Sequence, residues 1–212
     1  MDVLIVGGHG KVGLRLLRLL AAGGHRARGL IRHPEQSADL VAAGAEPIVL
    51  DLEGEDITPA VAGADAVVFA AGAGAGSGPE RKRTVDLGGA LKLIDAAKAS
   101  GVRRYVMVSA MGADAPPGGD EGMAPYMRAK AAADQALIDS GLDYTIVRPG
   151  GLTDDPGTGL IVVAEKLGRR GQVPRDDVAA TLLAVLETAS TVGKTFELLS
   201  GETPIAQAIA AL

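Results

Sequence analysis

The sequence predicts an α/β fold in which a doubly wound, mainly parallel sheet carries helices on both faces. Three observations predict it. Short β-branched runs alternate with helical patterns through most of the 212 residues. The first of these runs ends in a glycine-rich turn that opens a helix. Two further loops, rich in Gly or in Pro and acids, again follow the carboxyl ends of strands. Strand alternating with helix calls for parallel pairing through right-handed crossovers. Such a sheet takes its ligands in the crevice beyond the carboxyl ends of its strands.

Taken in order, Val3 to Val6 is a short apolar run and reads as a buried strand. Leu14, Leu16, Leu17, Leu19 and Leu20, with Arg15 and Arg18 between them, form an amphipathic helix closed by Gly23-Gly24. Further strands are expected at Ala27 to Arg32, Pro47 to Leu50, Ala66 to Ala70, Arg104 to Ser109, Tyr144 to Arg148 and Thr195 to Leu199. Helices are expected at Glu35 to Ala43, Thr84 to Ala99, Ala124 to Ser140 and Asp176 to Thr188. Ala71 to Pro79 (AGAGAGSGP) and Ala110 to Gly122 break the alternation and read as loops. At this length the expectation is one domain over 1–212, with a minimal substrate-covering region around 150–174.

Composition removes several function classes. Without cysteine there is no disulfide scaffold and no Cys-based zinc site. Only His9, His25 and His33 are present, so no metal site is expected. A net charge of −5 without a basic block, and only three Tyr and two Phe for stacking, argue against a nucleic-acid partner. No run approaches the roughly 18 apolar residues of a membrane span. Met1-Asp2-Val3-Leu4 has no basic region of a signal peptide, so a cytoplasmic location is expected. Gly occupies 30 positions and Ala 37, the former about twice the usual 7% or so. Their distribution decides between disordered filler and loop geometry.

Gly7-Gly8-His9-Gly10-Lys11-Val12-Gly13 follows a strand and opens a helix. Backbone N–H groups at a helix amino end attract a pyrophosphate, and glycines allow the tight turn and the close approach. That context predicts a dinucleotide-binding Rossmann fold. The run satisfies both Gly7-x-x-Gly10-x-x-Gly13 and Gly8-x-Gly10-x-x-Gly13, so spacing alone does not choose between them. The second strand ends at Leu30-Ile31-Arg32-His33-Pro34, with no acid to hold a ribose 2′-hydroxyl. Arg32 offers a forked contact to a 2′-phosphate, and Lys11 a second positive charge, which favours NADP over NAD. The plainer reading of Arg32 is a solvated strand-end charge. Asp51, closing the third strand, is placed either to meet an adenine edge or to start a turn.

Tyr126 and Lys130, at i and i+4, share one face of a helix that begins near Pro125, seventeen residues after Ser109. A phenol with its ordinary pKa near 10 is a weak acid–base catalyst at neutral pH, and a nearby ammonium is expected to lower that value. A strand-end hydroxyl such as Ser109 can hold a substrate oxygen beside it. These are the parts that carbonyl reduction, or its reverse, requires.

The chain resembles the atypical short-chain dehydrogenase/reductases, within the NAD(P)-binding group related to nucleotide-sugar epimerases and dehydratases. VLIVGGHGKVG, DAVVFAAGAG, RRYVMVSAMG, PYMRAKAAAD, GLDYTIVRPGGLTDDPGTG, RDDVA and GKTFELLSG carry the resemblance, which spans essentially the whole chain. It implies Gly7, Gly10 and Gly13 in the phosphate loop, Arg32 at the 2′-phosphate and Asp51-Leu52 at the adenine. It further implies Ala70, Ala71 and Gly72 at the adenosine ribose, and Pro149 and Gly150 against the nicotinamide. Ser109, Tyr126 and Lys130 match the catalytic trio, with Lys130 also on the nicotinamide ribose. The chain departs from the family in three ways. Only a short stretch follows Gly150, Ser109 is followed by Ala110, and Arg81 to Ala99 holds no Asn for a proton relay.

Three functions compete on the sequence alone. The first is an NADP(H)-dependent oxidoreductase acting on a small carbonyl or alcohol. The second is an epimerase or dehydratase with a recycled cofactor, and the third a non-catalytic NADP(H)-sensing protein. The intact Ser109, Tyr126, Lys130 set favours an enzyme. The expected partners are a small-molecule substrate and at most a second copy of the chain, as monomer or homodimer.

Overall fold

A computed structural model describes residues 1–74, 77–119 and 122–212. The expected loops at 71–79 and 110–122 therefore each include two residues, 75–76 and 120–121, that lie outside the described set.

The amino-terminal half follows the expected alternation: β1 (Asp2–Val6), α1 (Lys11–Ala22), β2 (Arg26–Ile31), a 3-10 turn at Pro34–Gln36, α2 (Ser37–Ala42) and β3 (Glu46–Val49). A short α3 (Thr58–Val61) then leads to β4 (Ala66–Phe69). The next helix comes in three joined pieces: α4 (Pro79–Arg81), a π-helical stretch at Lys82–Gly88, and α5 (Gly89–Ala99). After β5 (Arg104–Val108) come α6 (Ala124–Ile138), β6 (Asp143–Pro149), β7 (Gly151–Thr153), β8 (Leu160–Ala164) and β9 (Gln172–Pro174). The chain continues as α7 (Arg175–Glu187), a 3-10 turn, β10 (Lys194–Ser200), β11 (Thr203–Pro204) and α8 (Ile205–Ala210).

The main sheet has nine strands in the order β3-β2-β1-β4-β5-β6-β10-β8-β11. From β3 to β10 every pairing is parallel; β8 and β11 add an antiparallel edge. The order reverses between β1 and β4, and that switch point opens the ligand crevice. Side chains alternate across the sheet as a period of two demands. Val3 and Ile5 face α1 and α7 in one apolar cluster with Leu16, Leu17 and Leu182. Leu4 and Val6 face the opposite cluster, with Leu93, Ala97 and Leu137 of α5 and α6. Both clusters are mostly aliphatic. Tyr105, Phe69 and Phe196 are the largest fully buried side chains, so the aromatic shortage reflects packing by small and branched residues.

The region 150–174 folds into β7, β8 and β9 rather than a bare loop. β7 and β9 pair as a separate two-stranded parallel sheet, and β8 joins the main sheet beside β10. The sequence pattern does not predict these strands, nor β11, α3 and α8. They are short, and β11 sits at the sheet edge with β8 as its single neighbour.

Candidate active site and cofactor cleft

The glycine turn is built for close backbone approach. Gly7 has φ +90°, and a Cβ there would lie 2.7 Å from Ala71 Cα. A Cβ on Gly8 would lie 2.8 Å from Gly29 Cα in β2, where Gly8 N–H donates to the Leu30 carbonyl at 3.0 Å. Gly13 packs on the Gly7 carbonyl. Both readings of the spacing are therefore used, since Gly7 and Gly8 each have their own steric reason. Gly10 caps α1 without a side chain, and the first-turn N–H groups of Lys11, Val12 and Gly13 face the same crevice end.

This turn forms one wall of a cleft of about 300 Å³. Of the residues expected at the dinucleotide, Gly7, His9, Gly10, Arg32, Asp51 and Leu52 line it. So do Ala70, Ala71 and Gly72, at the end of β4. A cradle that a Cβ would fill, joined to a cleft with a guanidinium on its rim, fits an adenine dinucleotide. Val12 instead packs in the core. Lys11 also faces elsewhere: its Nζ lies 2.6 Å from Asp154 Oδ2. Asp51 does turn work as well, since its Oδ1 accepts the Glu53 N–H at 3.0 Å.

The second half of the site sits where β5 ends and α6 begins. Lys130 is almost fully buried. Its Nζ donates to the Val108 carbonyl at 3.0 Å and lies 3.5 Å from Asp86 Oδ1. It stands 5.8 Å from the ring centres of both Tyr126 and Phe69. Ser109 Oγ donates to Asp134 Oδ2 at 2.9 Å, and Arg148 Nε reaches the same oxygen at 2.9 Å. Pro149 and Gly150 continue the carboxyl end of β6, with the Pro149 carbonyl accepting Met111 N–H and Gly150 N–H donating to the Leu198 carbonyl, both at 3.0 Å.

Two carboxylates have no counterpart in the sequence-based expectations. Asp86, on the π-helical stretch, is 1% exposed and accepts the Ala73 N–H at 3.2 Å. It is the polar side chain that reaches Lys130 from the segment that lacks an Asn. Asp134, also 1% exposed, extends the Tyr126, Lys130 spacing by one more turn of four residues. That third position on the stripe is the signal the sequence offers. Among the described residues, one oxygen of each, Asp86 Oδ1 and Asp134 Oδ1, is buried without a hydrogen-bond donor.

These acids reverse one expectation. Burial, then the negative charges of Asp86 and Asp134, push the Tyr126 phenol up to about 12. The ammonium expected to lower it is itself desolvated, which pulls the Lys130 pKa down against the opposing pull of Asp86 and Asp134. Burial likewise raises the Asp134 carboxyl, although Ser109 and Arg148 oppose the rise. Among the described residues no group of three or more His, Asp or Glu is placed to hold a metal ion, and no helix is long and apolar enough to cross a membrane.

Comparison with known proteins agrees with this geometry. The model of the family described as NAD(P)H-binding matches residues 7–189. A Bacillus subtilis protein named as an uncharacterized sugar epimerase, YhfK, is 44% identical over 212 residues, covering 99% of each chain. Among solved structures, a Bacillus halodurans protein named for the NAD-dependent epimerase/dehydratase class superposes with a TM-score of 0.96 at 42% identity, over 100% of both chains. The oxidoreductase ylbE of Lactococcus lactis gives 0.86 at 29% identity, over 100% of this chain and 96% of that one. The chain belongs to the NAD(P)H-binding family, among the atypical short-chain dehydrogenase/reductases.

Proposed function

We propose that the protein is an NADP(H)-dependent oxidoreductase that reduces a small carbonyl compound, with the alcohol as the reverse substrate. One observation carries the reading: Tyr126 and buried Lys130 share a face of α6 beside Ser109, at the same sheet end as the glycine cradle. The N–H groups of Lys11, Val12 and Gly13 at the start of α1 would hold the pyrophosphate, brought close by the turn at Gly7, Gly8, His9 and Gly10; Arg32 would take the 2′-phosphate, and Asp51 and Leu52 the adenine. Ala70, Ala71 and Gly72 would take one ribose, and Lys130, Pro149 and Gly150 the nicotinamide half. A bound nicotinamide supplies hydride to, or accepts it from, the reacting carbon.

Tyr126 then acts as the proton donor. With a pKa of about 12 it stays a phenol throughout the neutral range, ready to protonate an oxygen on which negative charge develops. Ser109 has its one proton committed to Asp134, so its lone pairs accept from the phenol or from the product hydroxyl and hold the pair in line. Lys130 fixes Asp86 and the end of β5 beneath the reacting group. This arrangement supports reduction over oxidation, because oxidation needs a phenolate.

Incubation with NADPH and a panel of aldehydes, ketones and quinones tests the reading. Tyr126→Phe should bind NADPH as the wild type does and lose about 100-fold or more in turnover, the usual contribution of a positioned acid. Undiminished turnover overturns the role of Tyr126. A second reading, an epimerase with recycled cofactor, is supported by the names of the Bacillus subtilis and Bacillus halodurans relatives. It is favoured over the first if dinucleotide survives purification and no carbonyl causes net NADPH consumption.

A further inference from the structure

An exposed glutamate ordinarily floats; Glu53, in the turn after β3, is held at three points. Its N–H donates to Asp51 Oδ1 at 3.0 Å, and its carbonyl accepts from Lys92 Nζ of α5 at 3.1 Å. Its Oε1 accepts from Thr84 Oγ1 of the π-helical stretch at 2.6 Å. The second carboxylate oxygen, Oε2, is thereby fixed between two guanidinium groups, 3.8 Å from Arg32 and 3.9 Å from Arg81. Glu53, Arg32 and Arg81 all line the dinucleotide cleft.

Both distances exceed a hydrogen bond, so neither fork of guanidinium donors is saturated by the carboxylate. Since both cations approach one oxygen, they stand within the span of a single phosphate group, whose separate oxygens could each receive a forked contact at normal length. The acid missing from the end of β2 is thus delivered from the next strand's turn, to the side of Arg32.

We infer that Glu53 holds the place of the cofactor's 2′-phosphate between Arg32 and Arg81, which makes Arg81 a second phosphate ligand and Glu53 the residue that sets the preference between NADP(H) and NAD(H). A 2′-phosphate displaces the carboxylate and takes both guanidinium groups. A 2′-hydroxyl leaves it in place and donates to it. The inference rests on the proposed dinucleotide role of the cleft, but not on which cofactor the wild type prefers.

Calorimetric titration of NADPH, NADH, 2′,5′-ADP and 5′-AMP into the wild type and single variants tests it. Glu53→Gln should tighten NADPH and 2′,5′-ADP about threefold to fivefold, the scale of a removed exposed charge contact, and weaken NADH. Thr84→Val, which frees the carboxylate without removing its charge, should move the NADPH/NADH ratio in the same direction by less. Arg81→Gln should weaken 2′,5′-ADP about tenfold, as expected for a charge-assisted contact to phosphate, and leave 5′-AMP unchanged. A ratio unmoved by Glu53→Gln, or 2′,5′-ADP binding unmoved by Arg81→Gln, overturns the inference. A wild type that prefers NADH and ignores Arg32→Gln overturns the NADP reading alone, and Glu53 stands if its substitution still shifts the ratio. Failure of the wild type to bind either dinucleotide overturns both.

Discussion

Ser109 gives its hydroxyl proton to Asp134 across 2.9 Å, and the same carboxylate oxygen takes the Arg148 Nε–H at 2.9 Å. An ionised carboxylate only accepts, so the direction of the Ser109 bond is fixed. The Ser109 hydroxyl hydrogen is thus committed to Asp134, and in the proposed reaction the Tyr126 phenol is left as the donor to a substrate oxygen. β5, α6 and β6 are tied together at the point where the chemistry is proposed.

That junction should be expensive to break. Asp134→Ala leaves the Arg148 guanidinium, largely buried, without its counter-charge. Removing one partner of a buried pair costs about 3–5 kcal/mol, which in a chain of this size lowers Tm by about 10 °C. Asp134→Asn keeps the shape and one acceptor and should cost less. Urea unfolding of the two variants measures both; a loss below about 1 kcal/mol for the alanine would show that the ion pair is not structural.

The Tyr126 phenol makes a pH prediction whose sign is set by burial and by Asp86 and Asp134. Its folded pKa, about 12, lies above the ordinary 10.0, so the folded state holds the proton more tightly than the unfolded chain. The stability this contributes is complete below pH 10 and is lost as pH rises toward 12. Reduction should show no limb from phenol ionisation below pH 10, whereas alcohol oxidation should keep rising through that range. Asp86→Asn removes one of the two charges and should bring the tyrosinate transition down, read by the ring carbon shift of Tyr126 in NMR. A transition unmoved by the substitution would rule out Asp86 as a cause.

Much of this is legible in the sequence, for a physical reason. β1 is buried on both faces and α1 on one, so the unbroken apolar run of Val3 to Val6 and the spacing of Leu16, Leu17 and Leu20 are written into their residue types. The glycine turn is equally plain, because only glycine tolerates the approach of Ala71 and Gly29. What stays hidden depends on contacts between distant segments. Asp86 and Asp134 look like ordinary helical acids until the sheet brings both to Lys130. Glu53 gains its meaning only from Thr84 and Lys92, 31 and 39 residues away. The expected lowering of the Tyr126 pKa fails likewise, since its sign turns on two acids and on burial, not on the i+4 lysine.

The crowding around the glycine turn is testable at one atom. Gly8→Ala places a methyl 2.8 Å from the Gly29 Cα, and because that neighbour is backbone it cannot swing aside. The turn must shift, and with it the N–H groups aimed at the pyrophosphate. NADPH affinity should fall by about tenfold or more, the value of one lost charge-assisted contact. Gly118→Ala is the control: no described atom lies within 4 Å of the methyl it would gain, and its φ is not positive, so binding should be unchanged. Equal behaviour of the two variants would sink the argument.

Asp154 ties the start of α1 to the start of α7. Its carboxylate meets Lys11 at 2.6 Å, Arg175 at 2.9 Å and Arg15 at 3.8 Å, and the Lys11 hydrogen bond holds its pKa below the ordinary carboxylate value. Three cations thus gather at the amino ends of α1 and α7, where a pyrophosphate would add its own negative charge, and one carboxylate offsets part of their field. Asp154→Asn should strengthen NADPH binding about threefold in dilute buffer. The gain should fade as salt rises to about 0.15 M, because screening at that strength acts over roughly 8 Å. Lys11→Gln should do the opposite with the same salt dependence. If Asp154→Asn instead weakens binding, the carboxylate serves to order Lys11 beside the phosphate turn, and the competition between acid and cofactor is excluded.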